Sequence, residues 1–186
     1  MTAGPDLSLN GWAVLTVLVD DGPAHGFAIS RKLSKTSDIG LVWAVSRPLV
    51  YRALDQLESA GLVQAEEVLA GDGGPNRRPF RATPTGHRAV ATWRTAPVSH
   101  LRDVRADLIL KLVLAERAGL DPSALLVAQL AHFSSLVAEL ADERRGSTGS
   151  GHVVDVWRHE LSVAVERTLT TLLAEVARPT RPTDDH

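Results

Sequence analysis

Apolar residues in the first part of the chain recur with the spacing of amphipathic helices. The pattern from Leu7 to Asp20 predicts a first helix, which ends at the turn residues Asp21-Gly22-Pro23. A second, shorter helix is predicted from His25 to Ser34. Segment 36–45 has no clean period but is too apolar for a solvated loop, so we expect it to pack against the core.

A third helix is predicted from about Arg47 to Ala60. Ser46 offers an N-cap, and Gly61 supplies the left-handed residue that commonly follows a helix. Its apolar stripe consists of Leu49, Val50, Leu54 and Leu57. The polar residues between these positions are left on the other side of the helix.

The pattern changes to that of strands after Gly61. Leu62 to Leu69 and Pro79 to Thr83 predict two strands, separated by the glycine-rich turn 71–76. A fourth helix is predicted from Thr85 to Thr95. Three helices, a two-stranded hairpin and a helix follow each other in the order of a winged helix-turn-helix domain.

Beyond Pro97 the pattern is helical throughout. Apolar residues step by three and four from Leu101 to Ala115, from Leu126 to Leu140 and from Val154 to Val176. The last two stripes are longer than one small helical domain can cover alone, so we expect them to be buried across a two-fold interface.

These patterns together predict a mainly α-helical protein. We expect a winged helix-turn-helix DNA-binding domain with a two-stranded β-wing at residues 1–97. An all-helical dimerisation domain is expected at residues 98–178, and a disordered tail at residues 179–186.

The composition narrows the classes of function. The chain has 186 residues, a formal net charge of -2 and no cysteine, which excludes a disulfide framework and a thiolate metal site. The first residues lack a secretion signal and no long uncharged apolar run occurs, so we expect a cytoplasmic protein without a membrane segment. Because the motifs of metalloproteases, serine hydrolases and nucleotide-binding loops are missing, we expect neither an enzyme nor a cofactor.

The predicted third helix and hairpin carry residues suited to DNA. Arginine and glutamine make bidentate contacts with base edges, serine and tyrosine contact phosphates, and glycines let the wing backbone approach closely. The candidate DNA-contacting residues are Ser46, Arg47, Tyr51, Arg52, Gln56, Arg77, Arg78 and Arg81. Two alternatives remain open: Arg77 and Arg78 form a solvated turn, or Tyr51 belongs to the core.

Trp157 is the candidate ligand-binding residue. An aromatic face on the last helix, near a two-fold axis, can stack a planar effector; the alternative is a tryptophan of the dimer core. His152, Asp155 and His159 have a spacing that can place them on one side of a helix. This spacing alone is too weak to assign a metal site, so none is predicted.

Three groups of residues resemble the PadR family of bacterial transcriptional regulators. They are the first helix and its turn from Leu9 to Gly26, the series Ser46, Tyr51, Leu54, Leu57 and Gly61-Leu62-Val63, and the basic wing that ends at Thr83-x-x-Gly86. The chain departs from the family pattern at Pro48-Leu49, where small residues are usual, and at Phe80, where tyrosine is frequent.

The resemblance implies a homodimer whose last helix is exchanged between subunits. It also implies a repressor that binds a palindromic operator of double-stranded DNA. Some members sense phenolic acids or flat aromatic drugs, so a small aromatic effector that releases the DNA is a further expectation. The alternative function is a winged-helix protein-interaction module without DNA binding, and the arginines of the third helix and wing count against it.

Overall fold

The computed structural model describes residues 5–66, 78–146 and 150–178. It divides into two compact units. Unit 1 comprises the described residues up to Ala96 together with Arg105–Ala118, and unit 2 comprises Pro97–Val104 together with those from Gly119 onwards. The fold is mainly helical with a small antiparallel sheet, which confirms the predicted fold class.

The helix α1 (Leu9–Asp21) lies at the centre of unit 1. Ser8 caps its first turn, because the serine hydroxyl accepts a hydrogen bond from the backbone amide of Gly11. The run from Ala13 to Leu18 is buried without interruption. A helix that is buried on nearly all sides makes contacts with core residues in every direction.

Two short helices follow α1. In α2 (Gly26–Lys32) the first turn is capped by His25, whose Nδ1 accepts a backbone hydrogen bond at 3.0 Å. The helix α3 (Asp38–Trp43) lies within the apolar segment 36–45, for which the sequence predicted no element. Ile39 in α3 is fully buried, which confirms that this segment packs against the core.

The helix α4 (Arg47–Ser59) is the predicted third helix, and α3 makes it the fourth in the chain. Its buried residues are Val50, Ala53, Leu54 and Leu57, and it packs against α1 and α2. The prediction that Leu49 belongs to the buried stripe is wrong. Leu49 is 40% exposed because it lies on the flank of the helix, rotated away from Val50.

Three strands form the sheet, in the order β1 (Ala24–His25), β3 (Pro79–Ala82), β2 (Val63–Ala65), and all pairs are antiparallel. The pairing of β2 with β3 confirms the predicted hairpin. The sequence did not predict β1, which extends the two-stranded wing to a three-stranded sheet. The glycine-rich turn of the wing falls in segment 67–77, outside the described residues.

The helix α5 (Pro84–Thr95) closes the core of unit 1. Thr83 caps it, because its Oγ1 accepts a hydrogen bond from the amide of Gly86 at 3.1 Å. Trp93 of α5 stacks on Trp12 of α1 with 5.0 Å between ring centroids and 5° between ring planes. Stacked tryptophans bury a large apolar area, so this pair fixes α5 on α1.

Unit 1 also contains a helix that follows the predicted boundary at residue 97. The helix α7 (Ile109–Arg117) contributes Leu110 and Leu114, both fully buried, to the core around α1. Lys111 of this helix is buried, and its ammonium donates to the carbonyl of Ala96 at 2.9 Å. Helix packing therefore joins α7 to the elements of unit 1.

Unit 2 is helical. A short helix, α6 (Leu101–Asp103), runs into a π-helical segment (Val104–Leu108) that precedes α7. The long helices α8 (Ser123–Gly146) and α9 (Ser150–Val176) pack along each other. Their buried apolar residues are Leu125, Leu126, Phe133, Leu140, Val165 and Leu169. The predicted tail at 179–186 lies outside the described residues.

One part of α8 is apolar enough to cross a bilayer. Ser123–Asp142 has a mean hydropathy of 1.5 and sufficient length, but the core helix of a globular protein meets the same criteria. Leu126, Phe133 and Leu140 in this segment are almost completely buried within unit 2. A single helix of this kind is weak evidence for a membrane span.

Candidate nucleic-acid interface

The exposed side of α4 carries five of the candidate DNA-contacting residues. Ser46 precedes the helix, and the other four lie within it. We call these residues the recognition face: Ser46, Arg47, Tyr51, Arg52 and Gln56 are all exposed. Because the opposite side is filled by buried apolar residues, α4 is held on the core and leaves these polar side chains in solvent.

An open groove of about 210 Å³ runs beside the recognition face. It is lined by Ser8, Asn10, Leu49, Arg52, Ala53 and Gln56. The guanidinium of Arg52 and the amide of Gln56 therefore lie along one groove, one helical turn apart. Both groups make bidentate hydrogen bonds of the type that distinguishes base edges in a major groove.

Arg47 lies close to two aromatic rings. Its Cζ is 5.2 Å from the ring centroid of Phe27 and 5.9 Å from that of Tyr51. Phe27 is 42% exposed and Tyr51 is 41% exposed, so Tyr51 lies at the surface and not in the core. Ser46 occupies the N-cap position, as predicted, but its hydroxyl makes no capping hydrogen bond.

The wing arginines that the structure describes are both ion-paired. Arg78 lies 3.4 Å from Glu58 of α4, and Arg81 pairs with Glu66 beside β2. Both arginine side chains remain more than half exposed, at 59% and 56%. Each arginine thus keeps a solvent-facing side, although a carboxylate neutralises part of its charge. Arg77 falls outside the described residues.

Two exposed residues near the recognition face were not identified from the sequence. The sequence places Phe27 only on the apolar side of the second helix, and its contact with Arg47 depends on the tertiary packing of α2 on α4. Asp55 is exposed on α4, one turn from both Tyr51 and Arg52. Asp55 could have been identified from the sequence, because it follows Arg52 by three residues and therefore lies on the same side of the helix.

The candidate ligand-binding residue lies in an exposed apolar patch of α9. Trp157 is 63% exposed, and its helical neighbours Val153 and Val154 are 70% and 53% exposed. We call these three residues the α9 patch. Apolar side chains clustered at such exposure are typical of a surface that binds a partner or a ligand.

The histidines of α9 lack the neighbours of a metal site. Within the described residues, no group of three or more histidine, aspartate or glutamate side chains is arranged to hold a metal ion. His152 is exposed, and His159 is partly buried.

Several solved structures, including the following three, are similar to this chain. The Bacillus subtilis PadR in complex with operator DNA is 17% identical and has a TM-score of 0.45; the alignment covers 91% of this chain and 99% of that chain. The same protein in complex with p-coumaric acid is 18% identical and has a TM-score of 0.39; here 95% of this chain and 100% of that chain are covered. The Vibrio cholerae virulence activator AphA is 18% identical and has a TM-score of 0.37, and its alignment covers 91% of this chain and 95% of that chain.

A search of curated protein sequences gave no significant match. Residues 14–92, in contrast, match the model of the transcriptional regulator PadR-like family. The matched region runs from α1 to α5 and contains the recognition face, β2 and β3. Within this region, the chain is similar to the PadR-like family of transcriptional regulators.

Proposed function

We propose that this regulator binds double-stranded operator DNA with the recognition face of α4 in the major groove and the wing along the adjacent backbone. The observation that carries the proposal is the division of α4 into a buried apolar side and an exposed side with two arginines and a glutamine. The proposed contacting residues are Ser46, Arg47, Tyr51, Arg52, Gln56, Arg77, Arg78 and Arg81.

The protein acts in this proposal as a cytoplasmic homodimer on a palindromic operator. Two-fold symmetric subunits present two copies of α4, and each copy reads one half-site of the DNA. The proposed DNA-binding domain is 1–97 and the proposed dimerisation domain is 98–178, with α7 of the second range packed into the core of unit 1. The α9 patch supports this assignment, because a second subunit can cover its apolar side chains.

Repression is the proposed outcome of binding. A dimer seated on a promoter excludes other proteins from the same DNA. The test uses a reporter gene behind a promoter that the protein binds. Expression of the reporter is expected to rise when Arg47 and Arg52 of the recognition face are both replaced by alanine. Lower expression in that strain would identify an activator instead.

Binding is tested with a fluorescent duplex selected from a random library by the unchanged protein. The logarithm of its affinity is expected to fall linearly with the logarithm of salt concentration, because each phosphate contact releases counterions. A duplex of shuffled sequence is expected to bind more weakly. If neither duplex binds at low salt, the protein-interaction module without DNA binding becomes the better description.

The wing is tested by Arg78→Ala. Removing one phosphate contact from each subunit of a dimer lowers the salt slope by about 0.9 per subunit, or about 1.8 in total, with little change in base preference. The matched control is Arg102→Ala, because Arg102 is 78% exposed but lies in unit 2. An unchanged slope for Arg78→Ala would mean that this arginine is only solvated.

We further propose that a small planar aromatic effector binds at the α9 patch and releases the DNA. Trp157 supports this, because its ring lies on the proposed two-fold interface, where an aromatic face can stack on a flat ligand held between the two subunits. Titration with p-coumaric acid is expected to quench the tryptophan fluorescence and to lower DNA affinity, and both responses should disappear in Trp157→Leu. DNA affinity that is insensitive to the acid would contradict release by this effector.

A further inference from the structure

The contact between Arg47 and two aromatic rings is unlike the contacts of the wing arginines. Both rings lie within the roughly 6 Å over which a cation is attracted to an aromatic face. Among the described residues, no carboxylate forms an ion pair with Arg47, whereas Arg78 and Arg81 both pair with glutamates. Aromatic rings therefore take the place of an acidic partner at the start of α4.

The fold fixes the two rings independently of Arg47. Gly26 leaves room for Tyr51, since a Cβ at that position would lie 2.8 Å from the tyrosine ring. Phe27 follows Gly26 directly in α2, and the imidazole of His25 caps that helix and lies 6.3 Å from the Phe27 ring. Each ring is thus attached to a helix that packs on the core.

The ring contacts of Arg47 do not use its N–H donors, and within the described residues no side-chain hydrogen bond engages them. The N–H donors of arginine lie in the plane of the group, so an arginine held by ring faces still directs its donors outward. Arg47 is also the first residue of α4, where the helix dipole disfavours a cation. An anion that approaches this end of α4 is attracted by the guanidinium and by the amides of Arg47 and Leu49, since Pro48 between them has no N–H.

We propose that Phe27 and Tyr51 are positioning residues that hold Arg47 as a clamp for a DNA phosphate at the start of α4. This proposal rests on the proposed DNA binding and adds a role for Phe27, which is outside the recognition face. The rings restrict the guanidinium before DNA arrives, so the side chain gives up less freedom when the phosphate is bound. The phosphate receives two parallel hydrogen bonds from the arginine fork.

A double-mutant cycle with Phe27→Leu and Arg47→Ala tests the clamp on the selected duplex. Arg47→Ala is expected to weaken binding and to lower the salt slope by about 0.9 per subunit. Phe27→Leu is expected to weaken binding about 2- to 5-fold per subunit, the range of an exposed cation–π contact, while the salt slope stays unchanged because the charge remains. Combined with Arg47→Ala, Phe27→Leu should have no further effect.

Two further variants separate positioning from folding. Leu41→Ala removes another exposed apolar side chain of unit 1, since Leu41 is 82% exposed on α3, and should leave DNA binding unchanged. Arg47→Lys keeps the charge and the salt slope but not the planar fork, so it should weaken binding and reduce the effect of Phe27→Leu. Circular dichroism confirms that each variant is folded.

The outcomes distinguish this proposal from the proposed function. If the unchanged protein binds with a normal salt slope but Phe27→Leu weakens it equally with and without Arg47, positioning by Phe27 is wrong and DNA binding stands. An unchanged salt slope in Arg47→Ala also overturns the clamp alone. Absence of binding by the unchanged protein overturns both.

Discussion

Arg52 and Asp55 are neighbours on the exposed side of α4 and carry opposite charges. In the proposed complex, arginine donates to guanine, whereas a carboxylate accepts from the exocyclic amine of cytosine and is repelled by phosphates. Asp55 therefore lowers the affinity for every DNA sequence but lowers it least where an amine faces it. The pair favours selectivity over general affinity.

Replacing Arg52 by alanine is expected to weaken specific binding. If the arginine is bidentate to guanine, the loss is about 1 to 3 kcal/mol and selectivity at one base pair of each half-site is relaxed. Competition binding with duplexes altered at single positions measures this. Equal weakening on all duplexes would assign Arg52 to a phosphate, and unchanged binding would remove it from the interface.

Gly86 is required by a close backbone approach behind the wing. A Cβ at Gly86 would lie 2.2 Å from the carbonyl oxygen of Leu62, so Gly86→Ala must displace the backbone that leads into β2. We expect a loss of about 1 to 3 kcal/mol in the free energy of unfolding. Urea denaturation measures it.

The control for this prediction is Gly11→Ala in the first turn of α1. The nearest atom to a Cβ at Gly11 is 3.5 Å away, which is an ordinary contact. Alanine is favoured over glycine in helices by up to about 1 kcal/mol, so this variant should be neutral or stabilising. Equal destabilisation by both variants would contradict the steric explanation.

Ion pairs at Asp21 link three helices of unit 1. The carboxylate of Asp21, at the end of α1, accepts hydrogen bonds from Lys32 of α2 at 2.7 Å and from Arg117 of α7 at 2.9 Å. Burial alone would raise the pKa of Asp21, but the hydrogen bonds and charges of the two cations outweigh it and lower the pKa below its ordinary value. The folded state therefore favours the ionised carboxylate.

This ion-pair cluster predicts a pH-dependent effect of Asp21→Asn. A lowered pKa in the folded state stabilises the fold above the pKa of the unfolded chain, near about 3.9, and this contribution disappears as the pH falls through the folded value. We expect Asp21→Asn to cost about 0.5 to 1 kcal/mol at pH 7 and much less near pH 3.

Urea unfolding in a Trp157→Phe background measures this difference, because the remaining tryptophans all lie in unit 1. Asp6→Asn is the matched control, since Asp6 is exposed and makes no ion pair within the described residues. A deficit of the same size at both pH values would show that charge is not its cause.

At the scale of the elements, hydrophobic periodicity predicted the helices and strands that bury one apolar side. Helices with one apolar side, such as α4, were located to within a residue or two, and so was β3. The two-residue strand β1 was missed because it has no alternation, and α3 because it is buried without a clear period. Tertiary packing, which no local spacing encodes, determines the ion-pair partners Glu58 and Glu66 and the contact of Phe27 with Arg47.

At the scale of the whole molecule, the α9 patch is an apolar surface that a single subunit leaves exposed to solvent. Helical periodicity predicted an apolar stripe from Val154 to Val176. Within one subunit Val165 and Leu169 are buried, whereas Val153, Val154 and Trp157 face solvent. Self-complementary association around a two-fold axis covers such a patch twice with a single interface. It also places two copies of α4 on one molecule.

We therefore expect the protein to be a dimer of twice the 20.0 kDa chain mass at micromolar concentration. The double variant Val154→Glu/Trp157→Glu places charges in the apolar interface, where they cannot be hydrated, and should yield monomers in light scattering. Thr170→Glu, at an exposed polar position of the same helix, should remain dimeric.

The monomeric variant should bind one half-site weakly and lose most of its affinity for the palindrome, because the second recognition helix is no longer linked to the first. If the unchanged protein is a monomer, or if both variants stay dimeric, the two-fold interface does not lie at the α9 patch.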